Sequence, residues 1–121
     1  MLTYVEVDNN KYLATITGRL NDREWNNRES KAITVEMAYE DAVNIFVDDV
    51  SWNIVQEYEE LVEQINENGE TVFVSTTKTE TYDNSDYSIA GDIVNHRDGT
   101  ITVKMGKPTA EELLALFEEV L

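Results

Sequence analysis

Apolar and polar positions alternate with a period of two in several stretches of this chain, and that period predicts strands. Tyr4 to Val7 and Tyr12 to Thr17 flank the turn-prone trio Asp8-Asn9-Asn10, so the chain is expected to open on a β-hairpin. Asn21 to Ser30 is polar and unpatterned and reads as a loop whose only large apolar group is Trp25. Ile33, Val35 and Met37 alternate across Ala32 to Met37 and predict a third strand. Tyr39, Ala42, Val43 and Phe46 recur at helical spacing, which places a short helix over Tyr39 to Val47.

Two periods compete in the next stretch. Val50, Trp52, Ile54 and Gln56 alternate like a strand, whereas Ile54, Val55, Tyr58, Leu61, Val62 and Ile65 fit a period of 3.6. The reading adopted is a strand over Val50 to Gln56 followed by a helix to about Asn66, with Gly69 as its stop. Thr71 to Thr81, rich in Thr and Val, predicts a long exposed strand. Tyr87 to Asn95 and Thr100 to Met105 flank His96-Arg97-Asp98-Gly99, a hairpin in which Asp-Gly supplies the positive-φ position. Thr109, after Pro108, forms a capping box with Glu112, and Leu113, Leu114, Phe117, Val120 and Leu121 then make one apolar stripe on a C-terminal helix. The expected class is α+β: a mostly antiparallel sheet of six or seven strands with two or three helices, in a single domain over residues 1–121.

Charge changes the picture more than composition does. Twenty-five acidic residues stand against nine Lys and Arg, a formal net charge of −16. Residues 1–31 balance, five against five, but Ala32 to Thr77 holds eleven acids and no Lys or Arg. Such a charge repels nucleic acid and anionic lipid, so direct binding to either is not expected. No Cys is present, which excludes disulfides, thiolate zinc sites and cysteine nucleophiles. No apolar run approaches a membrane span, and the start MLTYVEVDNN has neither a basic nor an apolar leader region, so a soluble protein without a signal peptide is expected.

The chemistry expected of a small enzyme does not assemble. His96 is the only histidine and sits in a turn where polar residues serve the backbone. Tyr82-Asp83-Asn84-Ser85-Asp86 clusters oxygens without the spacing of a calcium loop, and Gly91-Asp92 and Gly106-Lys107 build no phosphate loop. Paired carboxylates are abundant, but nothing marks one pair for acid/base work. The expectation is therefore a non-enzymatic protein with no cofactor and no metal.

The acidic stretch is the candidate binding site. On a helix over Glu57 to Asn66, Glu60, Glu63 and Glu67 would form one row with Glu59 beside them, neighbours about 5–6 Å apart. Rows of carboxylates imitate a phosphate backbone and would associate quickly, in a salt-sensitive way, with a Lys- and Arg-rich surface. Trp52 and Tyr58 fall on the apolar periodicity and are assigned to the core, whereas Tyr82 and Tyr87, among Asp83, Asn84, Ser85 and Asp86, are assigned to the surface. Tyrosine amid carboxylates suits an Arg-rich partner. The partner-binding residues expected are thus Glu57, Glu59, Glu60, Glu63, Glu67, Tyr82, Asp83 and Asp86.

Two segments, GRLNDREWNNRESKAITVEMAYEDAVNIF (Gly18 to Phe46) and DNSDYSIAGDIVNHRDGTITVKMGKPTAEE (Asp83 to Glu112), resemble small proteins encoded by phages and prophages of Firmicutes. The resemblance covers about half the chain and carries over no catalytic residue. It implies a phage-encoded protein acting in a bacterial cytoplasm or built into a virion. By size and charge the chain is similar to small phage inhibitors of nucleic-acid-binding defence systems, the anti-CRISPR and anti-restriction proteins among them. The expected function is an acidic inhibitor of a basic host protein, a monomer or small homo-oligomer; the alternative is a virion structural or assembly protein, such as a tail or head–tail component.

Overall fold

A computed structural model describes residues 1–120, and side chains for residues 1–118. Seven strands form one sheet: β1 (Leu2–Val7), β2 (Asn10–Asp22), β3 (Arg28–Glu36), β4 (Asn53–Ile65), β5 (Thr71–Asp83), β6 (Ile89–Asn95) and β7 (Thr100–Gly106). Helix α1 (Tyr39–Ile45) separates β3 from β4, and α2 (Ala110–Val120) follows β7. The strands lie in the order β5-β4-β1-β2-β3-β7-β6, with every neighbouring pair antiparallel. The α+β reading with a mostly antiparallel sheet holds, although strands dominate and the α-helices among the described residues number two.

Local chemistry accounts for the short turns. Asp8 and Asn9 take φ of 51° and 65°, the left-handed pair that a two-residue hairpin requires. Gly99 takes φ 93° in the β6–β7 turn, and the Asp98 carboxylate accepts from the amide and hydroxyl of Thr100. The expected loop over Asn21 to Ser30 is corrected. β2 runs to Asp22, one 3₁₀ turn spans Arg23–Trp25, and β3 already begins at Arg28. Pairing of β2 with β3 continues to Asp22↔Arg28 and overrides the polar composition.

The expected helix over Glu57 to Asn66 is also corrected: β4 is one thirteen-residue strand, paired without a break to β5 from Asn53↔Asp83 to Ile65↔Thr71. The apolar positions from Ile54 to Ile65 keep a period of 3.6 and fall on both faces of the strand, so pairing with the thirteen-residue β5 overrides the helical period.

The sheet has to curl. Laid flat, seven strands would hold β5 and β6 roughly 29 Å apart, yet the link from Asp83 to Ile89 reaches at most about 20 Å. The concave face holds the core: Val5 and Val7, Ile33 and Val35, Ile101, Val103 and Met105, roofed by Ala42, Phe46, Trp52 and Tyr87. The link crosses this roof. Asn84 N–H donates to the Trp52 carbonyl at 2.9 Å, the Trp52 indole donates to the Tyr87 carbonyl at 3.1 Å, and the two rings meet edge to face at 6.3 Å. Tyr87 is therefore buried, which corrects its assignment to the surface; its hydroxyl donates to Glu29, and burial together with that carboxylate pushes the phenol up to about 12.

Candidate functional site

β1 pairs with β4 only from Glu6↔Asn53 to Leu2↔Glu57, so from Tyr58 outward β4 has β5 as its sole neighbour. Residues Tyr58 to Lys78 thus form a two-stranded arm, about 25 Å long, projecting from the curled sheet. Its tip is a turn in which the Asn66 side chain accepts from the amides of Asn68 and Glu70, and Gly69 takes φ 78°.

The strand period divides the side chains between two faces. One face carries Glu57, Glu59, Leu61, Glu63 and Ile65, opposite Thr79, Thr77, Ser75, Phe73 and Thr71. The other carries Tyr58, Glu60, Val62 and Gln64, opposite Lys78, Thr76, Val74 and Val72. The single row of Glu60, Glu63 and Glu67 therefore does not exist. Glu59 and Glu63 share a face with Glu57, Glu60 stands on the opposite face, and Glu67 sits in the tip.

Each expected binding residue has a definite setting. Glu57 pairs with Lys11 at 3.3 Å where the arm joins the sheet. Glu59 accepts from Ser75 at 2.7 Å and Thr77 at 2.9 Å across the strands, and these hydroxyls hold its carboxyl below the usual range. Glu60, Glu63 and Glu67 are exposed. Tyr82 is exposed and donates to Glu80, which also accepts from Tyr58 at 3.0 Å; the two phenols lower Glu80, and Glu80 raises both. Tyr58 is thus half-buried on the arm rather than in the core. Asp83 accepts from Ser85, and Asp86 is exposed in the link beyond β5. These residues are strung along roughly 40 Å, from the tip of the arm to its root. They form an elongated acidic surface and no cleft.

Apolar groups accompany the acids. Leu61, Ile65 and Phe73 are 70%, 76% and 67% exposed, all on the face that holds Glu59 and Glu63. Among the described residues, no ion pair involves any residue from Tyr58 to Lys78. Among the described residues, Arg19, Arg28, Lys104 and Lys107 pair away from the arm, in networks that sequence reasoning missed. Asp22, fully buried on the convex side of the sheet, accepts from Lys104 at 2.9 Å and Ser30 at 3.1 Å, and the Lys104 bond foremost holds its carboxyl low. Arg28 stacks on the Trp25 indole at 4.7 Å and binds Glu112. Trp25, alone among polar residues, was the one signal of this second cluster. It lies across Gly91 and Gly106, where a Cβ would stand 2.7 and 2.8 Å from its ring.

The apolar stripe of α2 is uncovered as well: Leu113, Leu114 and Phe117 are each more than half exposed, while Val120 and Leu121 lie outside the described side chains. A concavity of about 850 Å³ where β1 begins between β2 and β4 is lined by Lys31 and Glu36 among mostly uncharged side chains. Among the described residues, no group of three or more His, Asp or Glu is arranged to hold a metal ion, and no helix is long and apolar enough to cross a membrane. Comparison with protein-family models, with curated proteins and with solved structures finds no match.

Proposed function

We propose that this chain is a non-enzymatic, phage-encoded inhibitor that occupies a basic protein surface with its β4–β5 arm, in place of nucleic acid. One observation carries the reading: an arm held only by its own two strands, Tyr58 to Lys78, exposes Leu61, Ile65 and Phe73 beside Glu59 and Glu63, with no ion pair among its described residues, and Glu57 stands on the same face at its root. A lone two-stranded ribbon is marginal in water, so its exposed apolar groups favour a partner that covers them. The carboxylates supply fast encounter with Lys and Arg, and the apolar groups supply retention once docked. Glu60, Glu67, Tyr82, Asp83 and Asp86 extend the same acidic surface over the second face, the tip and the root. The likeness of Gly18 to Phe46 and Asp83 to Glu112 to phage proteins favours a host nucleic-acid-binding defence protein as the partner.

A pull-down from bacterial lysate at low and at physiological salt tests this. The expected result is a basic nucleic-acid-binding protein, retained better at low salt and displaced by duplex DNA. Recovery that is indifferent to both salt and DNA would overturn the reading. The second reading, a small tail or head–tail component, is favoured by the uncovered stripe on α2, a second apolar surface well separated in sequence from the arm. Assembly into a ring or larger oligomer at micromolar concentration would select it.

A further inference from the structure

The two edges of the sheet are built differently. β6 is seven residues long, its register with β7 shifts between Ala90 and Ile93, Asp92 lies in that break, and the Ala90 amide is taken by the Asp48 carboxylate at 2.8 Å. A short, bulged, charged and capped strand is how folded proteins close an edge. β5, at the other edge, is thirteen residues long in unbroken register with β4, with no Pro, no Gly and no bulge. From Thr71 to Thr77 it carries no charge at all. Its outer backbone groups have no strand beside them.

We propose that this edge pairs with β5 of a second copy of the chain, antiparallel, about a two-fold axis at Thr79. Charge selects both the occupant and the register. Two molecules of net charge −16 repel over most of their surfaces, and the nearly neutral β5 edge is where they can approach. Lys78 and Glu80 flank Thr79, so pairing about this residue sets Lys78 of each copy opposite Glu80 of the other, two cross-strand ion pairs on one face. Thr77 then faces Thr81, and Ser75 faces Asp83, an overlap of nine residues. Sliding by two residues either way loses both ion pairs. The contact is isologous and closes at two copies, joining seven strands from each into one sheet. Glu59, Glu60 and Glu63 project from the ribbon faces and are not consumed, so the dimer stands independently of the binding reading above.

Sedimentation equilibrium of the full chain tests the proposal. A dimer is expected for the wild type. Lys78→Glu and Glu80→Lys singly should each weaken it by about tenfold or more, because attraction becomes repulsion at both pairs. The double exchange K78E/E80K restores the attraction with its sense reversed, and the dimer should return. Thr79→Cys should form a disulfide between copies under mild oxidation, since residues on the axis face each other at disulfide range. A monomer at all concentrations, an oligomer larger than two, or a dimer indifferent to the charge exchanges and uncrosslinked at residue 79 would each overturn it.

Discussion

Arg28 on β3 holds both carboxylate oxygens of Glu112 in the first turn of α2, at 2.7 and 3.3 Å. The same carboxylate accepts from the Thr109 amide at 2.9 Å, so one side chain caps the helix and ties it to the sheet. Arg28 also donates to the Lys107 carbonyl at 3.0 Å, just before the helix begins. With its apolar stripe uncovered, α2 depends on this junction for its orientation.

That dependence is sensitive to acid. Hydrogen bonds from Arg28, then from the Thr109 amide, lower the Glu112 carboxyl from 4.5 to about 2. A depressed carboxylate contributes stability that is fully present above about 4.5 and is lost as pH falls toward about 2. Acid titration followed by Trp fluorescence, with Trp25 stacked on Arg28, should show a transition in that window. Glu112→Gln should remove it, and an identical titration in both proteins would show that the junction does not carry the effect.

Thr109 completes the capping box, its hydroxyl accepting from the Glu112 amide at 3.2 Å. Thr109→Ala should lower stability by about 1 kcal/mol and Thr109→Asp should leave it nearly unchanged. Chemical denaturation separates the two, and equal losses would mean that the hydroxyl is not the cap.

Gly99 and Gly106 should fail for different reasons. A Cβ at Gly99 meets nothing within 4 Å, but φ is 93°, so Gly99→Val should cost about 1 kcal/mol or more through backbone strain alone. At Gly106 a Cβ would lie 2.6 Å from the Arg28 Cδ and 2.8 Å from the Trp25 ring. Gly106→Ala should therefore cost about 1–3 kcal/mol and alter Trp25 fluorescence, whereas the Gly99 variant should leave that fluorescence unchanged. The thermal and spectral shifts together decide between strain and collision.

These local features were legible in the sequence because each is decided within a few residues. The Asp8-Asn9 and Asp98-Gly99 turns and the Thr109–Glu112 box need no distant partner. Glu57 to Asn66 was not legible in the same way. Ile54, Val55, Tyr58, Leu61, Val62 and Ile65 keep the helical period and fall on both faces of β4, and β5 overrides that period from the far side of a turn. The error propagated to the site, since a period of two divides carboxylates that a period of 3.6 would align. Which residues are acidic, and that no cation lies among them up to Thr77, was visible throughout. The burial of Tyr87 was not, because it follows from a curl of the whole sheet that brings the link between β5 and β6 over β3.

His96 should be dispensable. It lies exposed in the β6–β7 turn, and its ring nitrogen meets the hydroxyl of half-buried Thr102 at 2.7 Å, which also bonds Thr34. His96→Asn should change stability by no more than about 0.5 kcal/mol and leave partner binding intact. A large loss of binding at unchanged melting temperature would mean that the turn belongs to the site.

The arm allows a sharper division of its charges. Glu59 and Glu63 share a face with Leu61, Ile65 and Phe73, whereas Glu60 lies on the reverse. Exchanging Glu59, Glu60, Glu63 and Glu67 for Gln together removes four charges at nearly constant side-chain size, so association with a basic partner should slow and its salt dependence should flatten. Exchanging Glu59 and Glu63 alone should reproduce most of that loss, and Glu60 alone little of it, if the apolar face is the one that docks. Phe73→Ser should instead speed dissociation, because it removes a retained contact and leaves the charge unchanged. Its own effect on stability should stay within about 0.5 kcal/mol, since the ring is already 67% exposed. Surface-plasmon measurements of both rates at two salt concentrations separate these outcomes. Should the quadruple variant associate at the wild-type rate with the wild-type salt slope, the carboxylates of the arm only solvate it, and the virion-component reading takes first place.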